Sequence, residues 1–352
     1  MTRFIPVAAD RDAVADLMRR GNVPLCLAST HGLGDNIFAS PCFEPLSRLF
    51  PRLYFLSEVN AYASVFHESR LVKVLYAGGT NCNDLALTTS ESFAAQLTRL
   101  RVSLPEEEVY VYSFGLFEPH LPSSDPRAYV KGRRSMIEFF GDGPDSTIVP
   151  RYHVAPDSLT GPYVNGVLDR WLEGRELIAI ARYGHTDRGK NFGDDHQAVV
   201  ALIDHIDGAS RGRYRFISLD YSPSSITAEG HHSSTRSVYG FLPCDSSAMW
   251  HVLNRATLLV TVPTGAMLVG ATCPRLRMLT LWKRASPYRF LDPQSGPVWA
   301  LVQNASLASH EFTRGWTEAQ RDAMLSRWHV TTGDVTPQSV GALALRILAG
   351  EA

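Results

Sequence analysis

Two tandem α/β units, each a doubly wound parallel sheet, are what the sequence predicts, and three observations predict them. Apolar runs at Val23–Ala28, Leu53–Leu56, Val72–Tyr76 and Val109–Tyr112 are separated by stretches of helical spacing. The same rhythm restarts near Glu176, after an interval rich in Pro, Gly, Ser and Asp. The chain has 352 residues, more than one ordinary domain holds. Strands alternating with helices give a parallel sheet with covering helices. Two such units facing one another leave an interdomain cleft at their strand ends, where ligands prefer to sit.

In chain order, residues 9–20 read as a short amphipathic helix that leads into a strand at 22–29. A Gly-x-Gly turn follows, then a helix at 36–50, with Pro41 tolerable only near its first turn and Pro51 stopping it. Strands are expected at 53–56, 72–76 and 109–112, and helices at 61–66 and 90–101. Residues 113–168 break the rhythm and carry a basic patch at Lys131, Arg133 and Arg134. They read as loops and short helices on the edge of the first domain, and a long irregular insertion of that kind is often part of a binding site. In the second half, strands are expected at 176–181, 214–219, 258–262 and 278–282. The helices there are 194–206, 245–256 and 266–272, and an apolar helix closes the chain at 340–348. The expected domains are therefore 1–168 and 169–335, with the segment 336–352 packing back on the first. No short period recurs, so a solenoid is not expected.

Composition narrows the class. Apolar residues make up 45% and charged residues 20%, which describes a soluble globular protein. Lys plus Arg is 34 and Asp plus Glu is 35, for a net charge of −1, so there is no electrostatic footprint for nucleic acid. No stretch is long and apolar enough to span a bilayer, and Met1-Thr2-Arg3-Phe4-Ile5 lacks the apolar core of a signal peptide. The cysteines, Cys26, Cys42, Cys82, Cys244 and Cys273, show no metal or pairing spacing. Buried, reduced thiols in a cytoplasmic protein are the expectation.

The stretch Ser29-Thr30-His31-Gly32-Leu33-Gly34-Asp35-Asn36-Ile37-Phe38 carries the first candidate site. Two glycines in a strand-to-helix turn let a backbone bend and approach a ligand. Asp35 then stands at the mouth of the helix, where backbone N–H groups and the dipole favour a carboxylate. Its plainer role is a helix N-cap. No metal set is visible: His231 and His232 are adjacent and point different ways, and Asp194-Asp195 reads as a helix start.

Several pieces together resemble the heptosyltransferase family, glycosyltransferases that use ADP-heptose and have two facing Rossmann-like domains in the GT-B architecture. The first piece is Gly34-Asp35-Asn36-Ile37-Phe38-Ala39-Ser40-Pro41, with Leu46 and Phe50-Pro51. The second is Ile178 to His185 followed by Lys190-Asn191-Phe192, and the third runs from Met249 through Val262-Pro263-Thr264-Gly265 to Gly270-Ala271. The resemblance covers about residues 22–290. Pro263 stands where the family has Asp, Leu268 where it has His, and Phe192-Gly193 replaces Trp-Pro.

The resemblance implies a metal-independent, inverting transfer of a sugar from a nucleotide diphosphate, with no cofactor beyond the nucleotide sugar. It assigns the acceptor to the first domain and the donor to the second. In that scheme Asp35 is the base, beside the turn residue Gly34, with His31 and His120 as alternatives. Lys190 and the Thr264-Gly265 turn hold the diphosphate, helped by Arg182 and His185, with Arg188 as a second cation. The partners expected are a small nucleotide sugar and a soluble or core-oligosaccharide acceptor. Weak membrane contact is expected only if that acceptor is lipid-linked. Two other readings stay open: a catalytically altered nucleotide-sugar-binding protein, which Pro263 and Leu268 motivate, and a dehydrogenase or methyltransferase. The last is weakened because Gly32-Leu33-Gly34 lacks the third glycine, and Glu58 is the nearest candidate for the ribose carboxylate.

Overall fold

The computed structural model describes residues 1–7, 16–17, 19–29, 32–57, 60–76, 89–113, 152–182, 192, 197–219, 238–240, 245–284, 287, 297–308, 322 and 326–352. It divides into two compact units, Met1–Asp157 with Asp245–Ser247, and Ser158–Cys244 with Ala248–Ala352. The expected boundary at 168/169 falls instead inside a helix, and the first crossing lies eleven residues earlier, between Asp157 and Ser158.

The first unit is a five-stranded sheet with every pairing parallel. Its strands are β1 (Arg3–Pro6), β2 (Leu25–Ser29), β3 (Leu53–Ser57), β4 (Lys73–Leu75) and β5 (Glu108–Ser113), in the order β1-β5-β2-β3-β4. Both β2 and β3 are buried along their whole length, as strands covered on both faces must be. The strand β1 was not expected; it is short, ends in Pro6 and runs along the outer side of β5.

The predicted helix 36–50 is two helices, α1 (Leu33–Ala39) and α2 (Phe43–Leu49), joined by a 3-10 turn over Ser40–Cys42. Pro41 lacks the N–H that a continuous helix would use, and the 3-10 turn accommodates it. The Ser40 hydroxyl donates to the Ile37 carbonyl over 2.7 Å. Behind α2, Phe43, Phe55 and Phe66 meet edge-to-face with centroids 5.1–5.3 Å apart, a buried aromatic cluster under the sheet. The helices α3 (Asn60–Ala63) and α4 (Ser90–Arg99) follow as expected, the latter opened by a capping box of Thr89 and Ser92.

The second unit opens with α5 (Thr160–Leu172), a thirteen-residue helix that starts in the region read from sequence as loops and short helices. Its sheet has seven strands, again paired in parallel throughout. They are β6 (Glu176–Ala181), β7 (Tyr214–Ser218), β8 (Val238–Gly240), β9 (Leu258–Thr261), β10 (Arg277–Trp282), β11 (Val298–Val302) and β12 (Trp328–Thr332). The order is β12-β11-β10-β9-β6-β7-β8, which is the doubly wound pattern. The helices are α6 (Gln197–Ser210), α7 (Ser246–Arg255), α8 (Gly265–Ala271) and α9 (Pro337–Ala349).

The closing helix α9 starts at a capping box of Thr336 and Ser339, with Pro337 at its first position, and ends at Gly350 with φ +77°. Its buried face, Val340, Ala344 and Ile347, packs in one core with Val199, Leu202, Ile203 and Ile206 of α6. That apolar face is spent inside the second unit.

Candidate functional site

In a doubly wound sheet, ligands sit beyond the carboxyl ends of the strands where the order reverses. In the first unit, β2 is followed along the chain by β3 and β4 on one side, and lies against β5 on the other. The reversal is thus at β2 and β5. Asp35 stands just beyond it, in the first turn of α1. The helix is capped by Gly32, whose carbonyl accepts from the Asp35 N–H over 3.0 Å. So Asp35 is not an N-cap, and the plainer role weighed for it does not apply. A Cβ on Gly32 would lie 3.9 Å from Asp35 Oδ2, which places the half-buried carboxylate back over the start of its helix. Gly32 has φ −65°, and Gly34 has no positive φ either, so this turn does not need glycine for its backbone shape.

A polar layer underlies Asp35. The apolar strands β2, β3 and β5 each end in a buried serine, Ser29, Ser57 and Ser113. Ser29 and Ser57 are neighbours in register. The Ser113 N–H donates to the Ser90 hydroxyl over 3.1 Å. Asn36, wholly buried, donates from Nδ2 to Ser57 Oγ over 2.8 Å. These residues were not singled out from sequence. The available signal was a serine at the end of each apolar run, which marks where a strand leaves its apolar surroundings.

On the far side of α1, the Ser40 hydroxyl accepts from the backbone N–H of His153 over 2.9 Å. The Nε2 of His153 lies 2.7 Å from the hydroxyl of Ser69, which itself accepts from the Leu71 and Val72 N–H groups. Burial lowers the pKa of His153, against a smaller opposing pull from Glu44. A neutral ring accepting at Nε2 fits this setting.

In the second unit the reversal falls between β6 and β9. Ala181 pairs with Thr261 at the ends of these two strands, and the Val262 N–H donates to the Ala181 carbonyl over 3.1 Å. Arg182 and the Pro263-Thr264-Gly265 turn therefore leave the same edge of the sheet side by side. Arg182 is buried, and its carbonyl accepts from the Phe192 N–H over 3.1 Å. Phe192 is itself buried in the core of the unit. Thr264 caps α8 in an extended conformation, but its hydroxyl makes no capping hydrogen bond. Instead it lies 3.5 Å from the Thr261 hydroxyl. The start of α8 is held close to the sheet by Gly270, where an added Cβ would fall 2.8 Å from Leu259 Cδ2.

Leu268 is buried, at 2% exposure, among Ala266, Met267 and Val269. Its position belongs to the apolar core, so this departure from the family pattern is a core residue. Lys190, His185, Arg188, His31, His120, the basic patch 131–134, Asp194-Asp195 and His231-His232 lie outside the described residues. Of the predicted site residues, the structure brings Arg182, Thr264 and Gly265 to one sheet edge and puts Gly34 and Asp35 at the corresponding edge of the other unit. Among the described residues, no three His, Cys, Asp or Glu side chains gather to hold a metal, and no helix is long and apolar enough to cross a membrane.

No family model matches the chain, and no curated protein does. Solved structures do match. A family 9 glycosyl transferase from Veillonella parvula aligns with a TM-score of 0.55 at 15% identity, over 85% of this chain and 92% of that one. The ADP-heptose lipopolysaccharide heptosyltransferase II of E. coli aligns with a TM-score of 0.51 at 11% identity, over 94% and 100%. The E. coli heptosyltransferase WaaC, solved with ADP-2-deoxy-2-fluoro heptose, gives 0.51 at 12% identity, over 94% and 100%. At these identities the likeness is one of fold. It places the two parallel-sheet units among those of GT-B glycosyltransferases.

Proposed function

We propose that the chain is a glycosyltransferase that takes its sugar from a nucleotide-diphosphate donor. The observation that carries this reading is the placement of Arg182 beside Thr264-Gly265 at the reversal point of the second sheet. A guanidinium, a hydroxyl not used for capping and the opening amides of a helix are groups that suit a diphosphate. Lys190, two residues before the anchored Phe192 in sequence, supplies a further positive charge in this reading. The fold likeness adds support, since the WaaC neighbour was solved with an ADP-linked heptose analogue.

The chemistry asks for a base, a stabilised leaving group and exclusion of water. Asp35 removes the proton from an acceptor hydroxyl as that oxygen attacks the anomeric carbon. The bond from that carbon to the diphosphate oxygen breaks, and the diphosphate leaves with the electron pair. Attack from the face opposite the leaving group inverts the anomeric centre. A free aspartate has a pKa of about 4, so Asp35 is a modest base. No metal or cofactor is invoked. We assign the donor to the ADP-linked sugars, with heptose first, the acceptor to small soluble glycosides or core oligosaccharides, and the compartment to the cytoplasm.

The test is a nucleotide-sugar panel by calorimetry, then product detection with wild type and Asp35→Ala. Donor binding with turnover lost in the variant supports the reading. Tight binding of NAD or S-adenosylmethionine instead would overturn it. A second reading has one observation behind it. Leu268 lies in the core where the family carries a histidine, which suits a protein that binds a nucleotide sugar without transferring it. Binding with no turnover under any acceptor would favour that reading.

A further inference from the structure

Asn36 is wholly buried on α1, one residue past Asp35. Its Nδ2 donates to Ser57 Oγ, at the carboxyl end of β3, while its Oδ1 is buried with no hydrogen-bond partner among the described residues. Turning the amide over would exchange the two ends and still leave one unpaired. The net gain from one hydrogen bond is smaller than the penalty for a buried polar atom left unpaired. The Asn36 amide, half of it unpaired, therefore adds no net stability. Its neighbours on the same helix, Leu33, Ile37, Phe38 and Ala39, are buried and apolar.

A hydrogen bond is directional where an apolar contact is not. The helix α1 spans only seven residues and has no side-chain cap at its start. A fixed bond from Asn36 to the end of β3 sets how far this short helix is rotated about its axis. Successive residues project about 100° apart around a helix, so that rotation decides where Asp35 points. We propose that Asn36 and Ser57 are positioning residues that set the direction of the Asp35 carboxylate. The inference rests on the reading of Asp35 as the base.

The experiment compares wild type with Asn36→Leu/Ser57→Ala, Ser57→Ala and Ser57→Thr. Thermal midpoint, donor affinity, kcat and KM are measured, together with the titration of the Asp35 carboxyl carbon by NMR. The double variant should keep donor affinity and KM and lose kcat by roughly ten- to a hundredfold. Ser57→Thr, which retains the hydroxyl, should retain kcat. An unchanged kcat in the double variant overturns the proposal. If the wild type transfers no sugar, the reading of Asp35 fails on its own account, and the NMR titration decides the positioning. An Asp35 midpoint that moves in Ser57→Ala and returns in Ser57→Thr supports it, and one common midpoint overturns it.

Discussion

Replacing Gly341 by alanine tests where the closing helix lies. An alanine Cβ would stand 2.5 Å from Cδ2 of His205 on α6, 3.1 Å from its Cγ and 3.4 Å from its Cβ. Swinging the imidazole away moves the first two atoms, and the third is at ordinary contact distance, so relief means turning a packed ring out of its place. Overpacking of this kind costs about 1–3 kcal/mol. An alanine in place of glycine inside a helix returns about 1 kcal/mol. The net expectation for Gly341→Ala is a loss of about 0–2 kcal/mol, or a midpoint lower by up to roughly 8 °C for a unit of this size. In a His205→Ala background the obstacle is gone, and the same change should stabilise by about 1 kcal/mol. The coupling between the two substitutions is then about 1–3 kcal/mol, read from calorimetric unfolding of the four proteins in the cycle. An equal effect of Gly341→Ala in both backgrounds would refute the packing of α9 on α6.

Three further outcomes are expected. Asp35→Ala should lose turnover while keeping donor affinity; activity within a few-fold of wild type would end the assignment of the base. Lys190→Ala should weaken donor binding by about 1–3 kcal/mol, and an unchanged dissociation constant would remove it from the site. Burial pushes the thiols of Cys26 and Cys273 from 9.0 up to about 12. Because both folded values are raised, their stabilising contribution is complete below about pH 9 and is lost as the pH climbs toward 12. Unfolding midpoints should fall over that window, less steeply in Cys26→Ala/Cys273→Ala. Identical slopes in the two proteins would contradict this.

Strands buried on both faces were legible because their apolar runs are continuous: Leu25–Ser29, Leu53–Ser57, Glu176–Ala181 and Leu258–Thr261 lie close to where patterning puts them. The elements that escaped are mostly short or marginal, but the five-residue strands β11, wholly buried, and β12 escaped too. The strand β8 has three residues and β1 has four, ending in Pro6. The helix α5 carries Gly161, Pro162, Asn165 and Gly166, a poor helix by propensity, and it is held by burial of Val164, Leu168 and Leu172. Gly161 also lies so close to His251 that an added Cβ would fall 2.8 Å from its ring, a tertiary contact with no local signature. At the candidate site, Asp35, Arg182 and Thr264-Gly265 were legible as residues flanking strand ends. Asn36 and Ser57 were not, since a polar pair twenty-one positions apart becomes visible only when the sheet brings it together.

The short first strand has a further consequence. In the order β1-β5-β2-β3-β4, β1 occupies one hydrogen-bonding side of β5, whose Val109, Val111, Tyr112 and Ser113 are buried. Without β1, the segment Glu-Val-Tyr-Val-Tyr-Ser would offer an open ladder to other molecules, the kind of template from which intermolecular β-association grows. β1 is itself a poor template: four residues long, it ends in a proline and begins with Arg3 paired to Glu108 at 3.1 Å. Residues 3–6 therefore cover that margin, and Phe4 joins the core beneath it.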